Sequence, residues 1–234
     1  MADARAGDDL DQLIRRVDPD RWLCTRFIGD VAARADVLAL YAYDYELGRA
    51  QKVASNSLVA EMRLAWWNEA LDEIFDGRPM RRHPVAEGLA RAVRRRALPR
   101  QPLEAMIDGH IELLGQTPVD EAAAERWASL AQGTAAELAA KVLDPDRPSA
   151  PAASAGKAWG LALLMRSASH DRASLSEPLR QALSETRSNA RALSVQAFPA
   201  ALPARLARFD LAGVSPPAWR KQLSLVFSAA TGLL

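Results

Sequence analysis

The chain of 234 residues has one cysteine, Cys24, and lacks long apolar runs. A single cysteine excludes an intrachain disulfide and a cysteine-based metal cage, and it suits a reducing compartment. A membrane-spanning helix needs about 20 apolar residues, whereas the run Trp159–Met165 has 7. We therefore expect a cytoplasmic protein without a transmembrane segment. Peripheral contact with the inner membrane is compatible with this location.

The sequence also lacks an excess of charge of either sign. Lys and Arg total 30 and Asp and Glu total 29, giving a formal net charge of +1. No global field favours nucleic acid, and we expect no nucleic-acid partner. The start, MADARAGDDLDQL, has acidic residues and no apolar core where a targeting signal would have basic residues and an apolar core, so we expect no such signal.

Signals for β-strands are missing as well. No alternating run of β-branched residues is flanked by hairpin turns, whereas apolar residues recur at three- and four-residue spacing, which predicts an all-α fold. The breaks between helices are too short for interdomain linkers, so we predict one domain over residues 1–234, with an N-terminal extension at 1–17 and a C-terminal helix in 211–234. The predicted helices lie near residues 8–17, 19–32, 33–53, 57–76, 83–97, 100–115, 120–143, 152–170, 176–194 and 216–230.

Three pairs of acidic residues could suggest a metal site, and one of them, Asp72 with Asp76 at i, i+4, is interpreted as part of a solvated helix face. Asp44 and Glu46 lie about 200° apart around a helix, so they cannot share an ion. Asp108 and Glu112 have i, i+4 spacing and lie on one helix face, but a single pair lacks a facing partner. The histidines match no metal-ligand spacing that we recognise, and we interpret them as structural. They are His83, His110 and His170.

Several segments, in the same order, resemble the squalene/phytoene synthase family, whose members are all-α enzymes that join two prenyl diphosphates head to head. The resemblance covers about residues 18–210 and implies an isoprenoid-synthase-type helical bundle. The pair of tryptophans, the acidic helix end and the His-Pro helix start are its most specific part. The matching segments are DPDRWLCTRFI, ADVLALYAY, EMRLAWWNEALDEIFDG, HPVAEGLARAVRRRALPRQPLEAMIDGHIELL and AGKAWGLALLMRSASHD.

Active members of this family carry a D-x-x-x-D motif on each of two facing helices. Loss of a diphosphate group needs its charge neutralised by Mg²⁺ ions, which take oxygen ligands. The resemblance places the first pair of aspartate positions at Gly48 and Lys52, and an ammonium group there would repel Mg²⁺. The second pair falls at Ser167 and Asp171, so one carboxylate of four is retained.

The resemblance therefore implies a degenerate member, or pseudoenzyme, with no functional catalytic residue, metal site or cofactor. The chain is similar to a branch of the family that includes a mitochondrial assembly factor of respiratory complex I. This similarity implies that its partners are respiratory-complex subunits or a prenyl or other lipid chain. The alternative is an active prenyl transferase that binds Mg²⁺ through Asp171 with Asp108 and Glu112. The predicted substrate-binding residues are Tyr41, Tyr45, Asp108, Glu112, Gly160 and Arg166.

Overall fold

The structure is a computed structural model that describes residues 2–52, 57–79, 81–116, 119–167 and 171–234. The described residues form helices and contain no strand, which confirms the all-α prediction. The α-helices are α1 (Ala2–Val17), α2 (Pro19–Thr25), α3 (Val31–Lys52), α4 (Ser57–Phe75), α5 (Pro84–Arg96), α6 (Arg100–Glu112), α7 (Glu121–Trp127), α8 (Thr134–Leu143), α9 (Ala153–Arg166), α10 (Ser176–Asn189), α11 (Pro203–Leu211) and α12 (Ala218–Thr231).

Two aspartates start the helices near the N-terminus. The Asp18 side chain accepts a hydrogen bond from the backbone N–H of Arg21 at 3.0 Å, at the start of α2. Asp30 accepts from the backbone N–H groups of Ala32 and Ala33 at 2.7 and 3.1 Å. Side-chain oxygens at these positions satisfy N–H groups that have no partner within the helix. The helix predicted over 19–32 therefore stops at Thr25, and a new helix starts at Val31.

The helix predicted over 120–143 contains a π-helical segment, Ala128–Gly133, between α7 and α8. This segment lies against α9, where Gly156 and Gly160 allow a very close approach. A β-carbon added at Gly156 would lie 2.1 Å from the carbonyl oxygen of Gln132. Helix α11 had no counterpart among the predicted helices, although Pro203 at its first position is a residue that favours a helix start.

Two clusters of buried apolar side chains hold the helices together. One cluster involves α1, α3, α4, α5, α6 and α8, and the other involves α7, α9, α10, α11 and α12. In the first cluster the Tyr43 hydroxyl donates to the carbonyl of Leu103 at 3.0 Å, which joins α3 to α6. In the second, Trp159 is almost completely buried. Among the described residues, no helix is both long and apolar enough to cross a membrane.

Candidate functional site

A buried polar network lies between α2, α3, α6 and the π-helical segment. We call it the central network, and it consists of Arg21, Asp44, His110 and Gln132. The guanidinium of Arg21 donates to Asp44 Oδ2 at 2.7 Å and to Gln132 Oε1 at 3.2 Å. The amide of Gln132 donates in turn to Asp44 Oδ1 at 2.7 Å. All four side chains are buried, so these bonds replace contacts with water.

His110 completes the network through both of its ring nitrogens. The indole N–H of Trp127 lies 3.3 Å from Nδ1, and an indole nitrogen can only donate. Nδ1 must therefore accept, which puts the ring proton of the neutral imidazole on Nε2. Nε2 then donates to Asp44 Oδ1 at 3.1 Å. The carboxylate of Asp44 thus accepts hydrogen bonds from an arginine, an amide and an imidazole.

The charges of Arg21 and Asp44 stabilise each other within the protein. Burial alone would raise the pKa of Asp44, but the Arg21 guanidinium and the His110 hydrogen bond hold that pKa well below its usual range. Burial alone would lower the pKa of Arg21, and the carboxylates of Asp18 and Asp44 instead raise it. The guanidinium also lies over the ring of Tyr41, 4.6 Å from its centre. Both groups of the pair therefore carry charge at neutral pH.

The central network fills the space beside the motif position Gly48 and beside Gly160, a predicted substrate-binding residue. A β-carbon added at Gly48 would lie 3.5 Å from His110 Cε1, and one added at Gly160 would lie 2.8 Å from Gln132 Cγ. The cavity that remains beside Arg21 and Trp159 has a volume of about 10 Å³. A cavity needs about 10 to 15 Å³ of such volume to hold one water molecule. The described part of the interior has no room here for a prenyl chain.

The residues of the central network do not fit a Mg²⁺ ion. Both oxygens of Asp44 already accept hydrogen bonds, and the Arg21 guanidinium 2.7 Å away would repel a divalent cation. Within the described ranges, no three or more His, Cys, Asp or Glu side chains are grouped so that they could hold a metal ion. The central network therefore supports no metal-dependent step.

Three of the predicted substrate-binding residues lie in or near the interior. Tyr41 is buried beside Arg21, and Gly160 is buried against Gln132. Tyr45 is half-buried, and the guanidinium of Arg49 lies 5.8 Å from its ring centre. Lys52 ends α3, but its side chain is not among those that the structure describes. His170 lies outside the described residues. A role of these residues in substrate binding therefore stays a prediction.

The acidic residues of the alternative hypothesis lie outside the central network. Asp108 is exposed, and Glu112 accepts from Arg126 at 2.8 Å near the surface. Asp171 is exposed and accepts from the backbone N–H of Ala173 at 2.9 Å. Ser167, the other position of the second motif, is half-buried at the end of α9.

Arg166, also predicted to bind substrate, belongs to a second ion cluster. Its guanidinium lies 3.2 Å from Asp20 and 3.2 Å from Asp210, and it stacks over Trp159. The ammonium of Lys221 donates to both oxygens of Asp20 at 2.7 and 2.9 Å. These contacts join α2, α9, α11 and α12, so the arginine is held by carboxylates of the protein.

Sequence reasoning missed the roles of Arg21, Asp44 and Gln132. A signal was present for Asp44, because it lies between apolar residues in LYAYDYEL at positions that face the core. A charged residue on a buried helix face needs a partner of opposite charge. The sequence does not say that the partner is Arg21, which is 23 residues away, nor that Gln132 joins them.

Comparisons with known proteins agree with this fold. The family model of squalene/phytoene synthase matches residues 14–177. A solved structure of a dehydrosqualene synthase in complex with ligand matches with a TM-score of 0.78, covering 97% of this chain and 96% of that chain. Its sequence identity is 14%, so this likeness shows the fold alone.

Curated relatives match a shorter stretch. The complex I assembly factor 6 of Bos taurus is 31% identical over 97 residues, and that of Homo sapiens is 29% identical over 97 residues. Each alignment covers 42% of this chain and 28% of the relative. The chain thus spans less than a third of the length of these relatives.

Proposed function

The chain belongs to the squalene/phytoene synthase family, and we propose that it is a non-catalytic member that acts as an assembly or scaffold protein for a respiratory enzyme. The observation that carries this proposal is the central network, which fills the middle of the bundle and leaves a cavity of about 10 Å³. Binding sites for organic ligands usually have about 300 to 1,000 Å³. A filled interior is what we expect of a protein that works through its surface.

The motif positions support the same proposal. Gly48 and Ser167 have no carboxylate, and Lys52 would bring a positive charge to the position of a metal ligand. The retained Asp171 is exposed, as is Asp108. Prenyl diphosphate chemistry needs several carboxylates that converge on Mg²⁺ ions, and these residues give it little support. We propose that the protein needs no cofactor, with Mg²⁺ required only if it is a prenyl transferase after all.

The choice of a respiratory partner rests on the curated relatives, which are assembly factors of NADH dehydrogenase. Their similarity to this chain covers 97 residues, so the partner is part of the proposal. We propose that the protein binds a subunit or an assembly intermediate of NADH dehydrogenase. We also propose that the protein is cytoplasmic and peripheral to the inner membrane.

The first test measures catalysis directly. The purified chain is incubated with farnesyl or geranylgeranyl diphosphate and Mg²⁺, and diphosphate release is followed over time. We expect no release above the rate without protein. Mg²⁺-dependent release that is lost in the variants Asp171→Asn and Glu112→Gln would overturn the non-catalytic proposal in favour of a prenyl transferase.

The second test measures the assembly role in the organism that encodes the protein. Deleting the gene should lower NADH dehydrogenase activity in membranes, and the wild-type gene should restore it. The variant Asp171→Asn/Glu112→Gln should restore it equally, because it removes only the carboxylates that a catalytic role would need. Normal activity in the deletion strain, together with no respiratory subunit in a pull-down, would exclude the assembly role.

A further inference from the structure

Helix α12 exposes a row of large apolar side chains to solvent, which we call the α12 stripe. The four residues lie at i, i+4, i+7 and i+8, so they occupy a sector about 100° wide on one side of the helix. Each is more than half exposed, whereas isolated soluble domains usually bury such side chains or scatter them. The α12 stripe consists of Trp219, Leu223, Val226 and Phe227.

The opposite side of α12 fixes the orientation of the stripe. Leu225 and Ser228 are fully buried against the rest of the protein. Lys221, on the same side, reaches the buried carboxylate of Asp20 at 2.7 Å. Because three anchors hold this side, the α12 stripe cannot turn inward without breaking them. It faces outward in the folded protein.

A group of arginines lies beside the stripe. Arg205 of α11 donates from Nε to Ser224 at 2.7 Å, and its guanidinium lies 5.9 Å from the ring centre of Phe227. Burial and the neighbouring charges of Arg208 and Arg187 lower the pKa of Arg205, and burial and Arg187 lower that of Arg208. Burial and the repulsion between neighbouring guanidinium groups thus both oppose the positive charge of these two arginines.

The positive charge of this group is not neutralised locally. Among the described residues, no carboxylate lies within 4 Å of the charged nitrogens of Arg187, Arg205, Arg208 or Arg220. The segment 211–234 contains no Asp or Glu at all. Cations that repel one another are stabilised when an anion binds between them. The arginines therefore favour an anionic partner at the edge of the stripe.

An open groove joins the two features. It has a volume of about 600 Å³, and arginines line it together with aromatic and aliphatic side chains. The residues that line it include Arg205, Phe209, Arg220, Leu223 and Phe227. A groove with cationic and apolar walls matches a molecule that is anionic at one end and apolar at the other.

We infer that the α12 stripe and the adjoining arginines form a binding surface for an anionic phospholipid bilayer. The apolar side chains would enter the boundary between headgroups and acyl chains, and the arginines would contact lipid phosphates. A helix with aromatic and aliphatic residues on one face and basic residues beside it is typical of helices that lie in a membrane interface. The inference deepens the peripheral location proposed above, but it does not require the assembly role.

The test uses flotation of the 234-residue chain with lipid vesicles. We compare vesicles of phosphatidylcholine alone with vesicles of phosphatidylcholine and phosphatidylglycerol. We expect at least about tenfold stronger binding to the anionic vesicles at low salt, and weaker binding as salt screens the arginines. Equal binding to both kinds of vesicle, or no binding to either, would overturn the inference.

Paired variants separate the two parts of the surface. Leu223→Ser/Phe227→Ser removes the centre of the stripe, and Arg205→Gln/Arg208→Gln removes two of the four arginine charges. Each should weaken binding about tenfold or more, because burying a large apolar side chain or pairing a desolvated charge is worth at least that factor. The matched controls are Val195→Ser, at an apolar residue that is 91% exposed outside α12, and Arg180→Gln, at an arginine paired with Glu177.

A measurement on the wild-type protein guards against variants that fail to fold. Hydrogen exchange of the amides in α12 should slow when anionic vesicles are added and should not change with neutral ones. A stripe variant that binds vesicles as well as the controls do would contradict the proposal. So would concentration-dependent dimerisation that Phe227→Ser abolishes without any vesicle binding, since the stripe would then contact a second copy of the chain. Pure lipids contain no respiratory subunit, so a negative result leaves the assembly proposal standing.

Discussion

The guanidinium of Arg21 donates to the carboxylate of Asp44 at 2.7 Å, and this contact joins α2 to α3 inside the protein. Removing two charges from water is costly, and their attraction offsets the cost only when the remaining donors and acceptors are also satisfied. Here Asp18 and Gln132 bind the rest of the guanidinium, and His110 and Gln132 bind the rest of the carboxylate. The pair therefore fixes how four elements meet.

Removing one partner of this pair should destabilise the protein strongly. Arg21→Met leaves the buried carboxylate of Asp44 without a cationic partner, which costs about 3 to 5 kcal/mol in other proteins. Asp44→Asn should cost less, because Arg21 keeps its ion pair with Asp18. The double variant should lose less unfolding free energy than the sum of the losses in the two single variants, because it removes both charges of the pair. Urea unfolding of the wild type and the three variants measures this coupling. As a control, Glu112→Gln at the exposed pair with Arg126 should leave the unfolding midpoint nearly unchanged. Strict additivity at the buried pair would contradict the interpretation.

The same pair should contribute to stability in a pH-dependent way. The pKa of Asp44 is lower in the folded protein than in the unfolded chain, where a carboxyl has a pKa of about 3.9. Its contribution is therefore fully present above that value and is lost as the pH falls further towards the folded pKa. The difference in unfolding free energy between wild type and Asp44→Asn should be constant from pH 7 to about pH 5 and should shrink below about pH 4. A difference that stays constant down to pH 3 would contradict the assigned ionisation.

The hydrogen bonds of His110 predict the tautomer of its neutral ring. Trp127 donates to Nδ1, so the proton of the neutral ring lies on Nε2. Long-range nitrogen correlation spectra should show an unprotonated Nδ1 and a protonated Nε2 at pH 8, and the chain has 3 histidines to assign. Trp127→Phe, which removes the donor, should weaken this tautomer preference and lower the unfolding free energy by about 1 to 3 kcal/mol. The opposite tautomer in the wild type would require a different network around Asp44.

The helices could be predicted where periodic apolar residues and local breaks agree. The prediction of 57–76 differs from α4 by one residue, and that of 83–97 by one residue at each end. Asp44 and Glu46 point apart as predicted, since Asp44 is buried and Glu46 binds Arg49 at 2.8 Å. These features depend on residues that are close in sequence. Local spacing contains the information needed to place them.

The site could not be predicted in the same way, because its partners are distant in sequence. Gln132 lies 88 residues from Asp44, and His110 lies 66 residues from it. A single sequence shows which residues are unusual in a helix. It does not show which distant residues they contact in the folded protein. The π-helical turn that carries Gln132 has no signal that we recognise, since ASLAQG reads as ordinary helix. The resemblance located the motif position Gly48 and the predicted substrate-binding residue Gly160, and packing placed His110 and Gln132 beside them.

The close contact between α9 and the π-helical segment should be intolerant of even one methyl group. In Gly156→Ala the new β-carbon would lie 2.1 Å from the carbonyl oxygen of Gln132, which is backbone and cannot rotate away. We expect a loss of at least about 3 kcal/mol in unfolding free energy, at the upper end of the cost of overpacking. Gly29→Ala is the matched control, because nothing lies within 4 Å of the added carbon. Equal melting temperatures for the two variants would show that α9 can move away without cost.

The ion pair between Lys221 and Asp20 should hold α12 on the protein. The ammonium contacts both oxygens of a buried carboxylate, whereas few other side chains of α12 are buried. Lys221→Met should therefore speed amide hydrogen exchange in residues 218–231 and leave the exchange of α3 and α6 unchanged, because only the attachment of one helix is weakened. Lys157→Met, which breaks the pair with Glu125, is the matched control and should not affect α12. Unchanged exchange in α12 of the Lys221 variant would mean that Leu225 and Ser228 hold the helix without the ion pair.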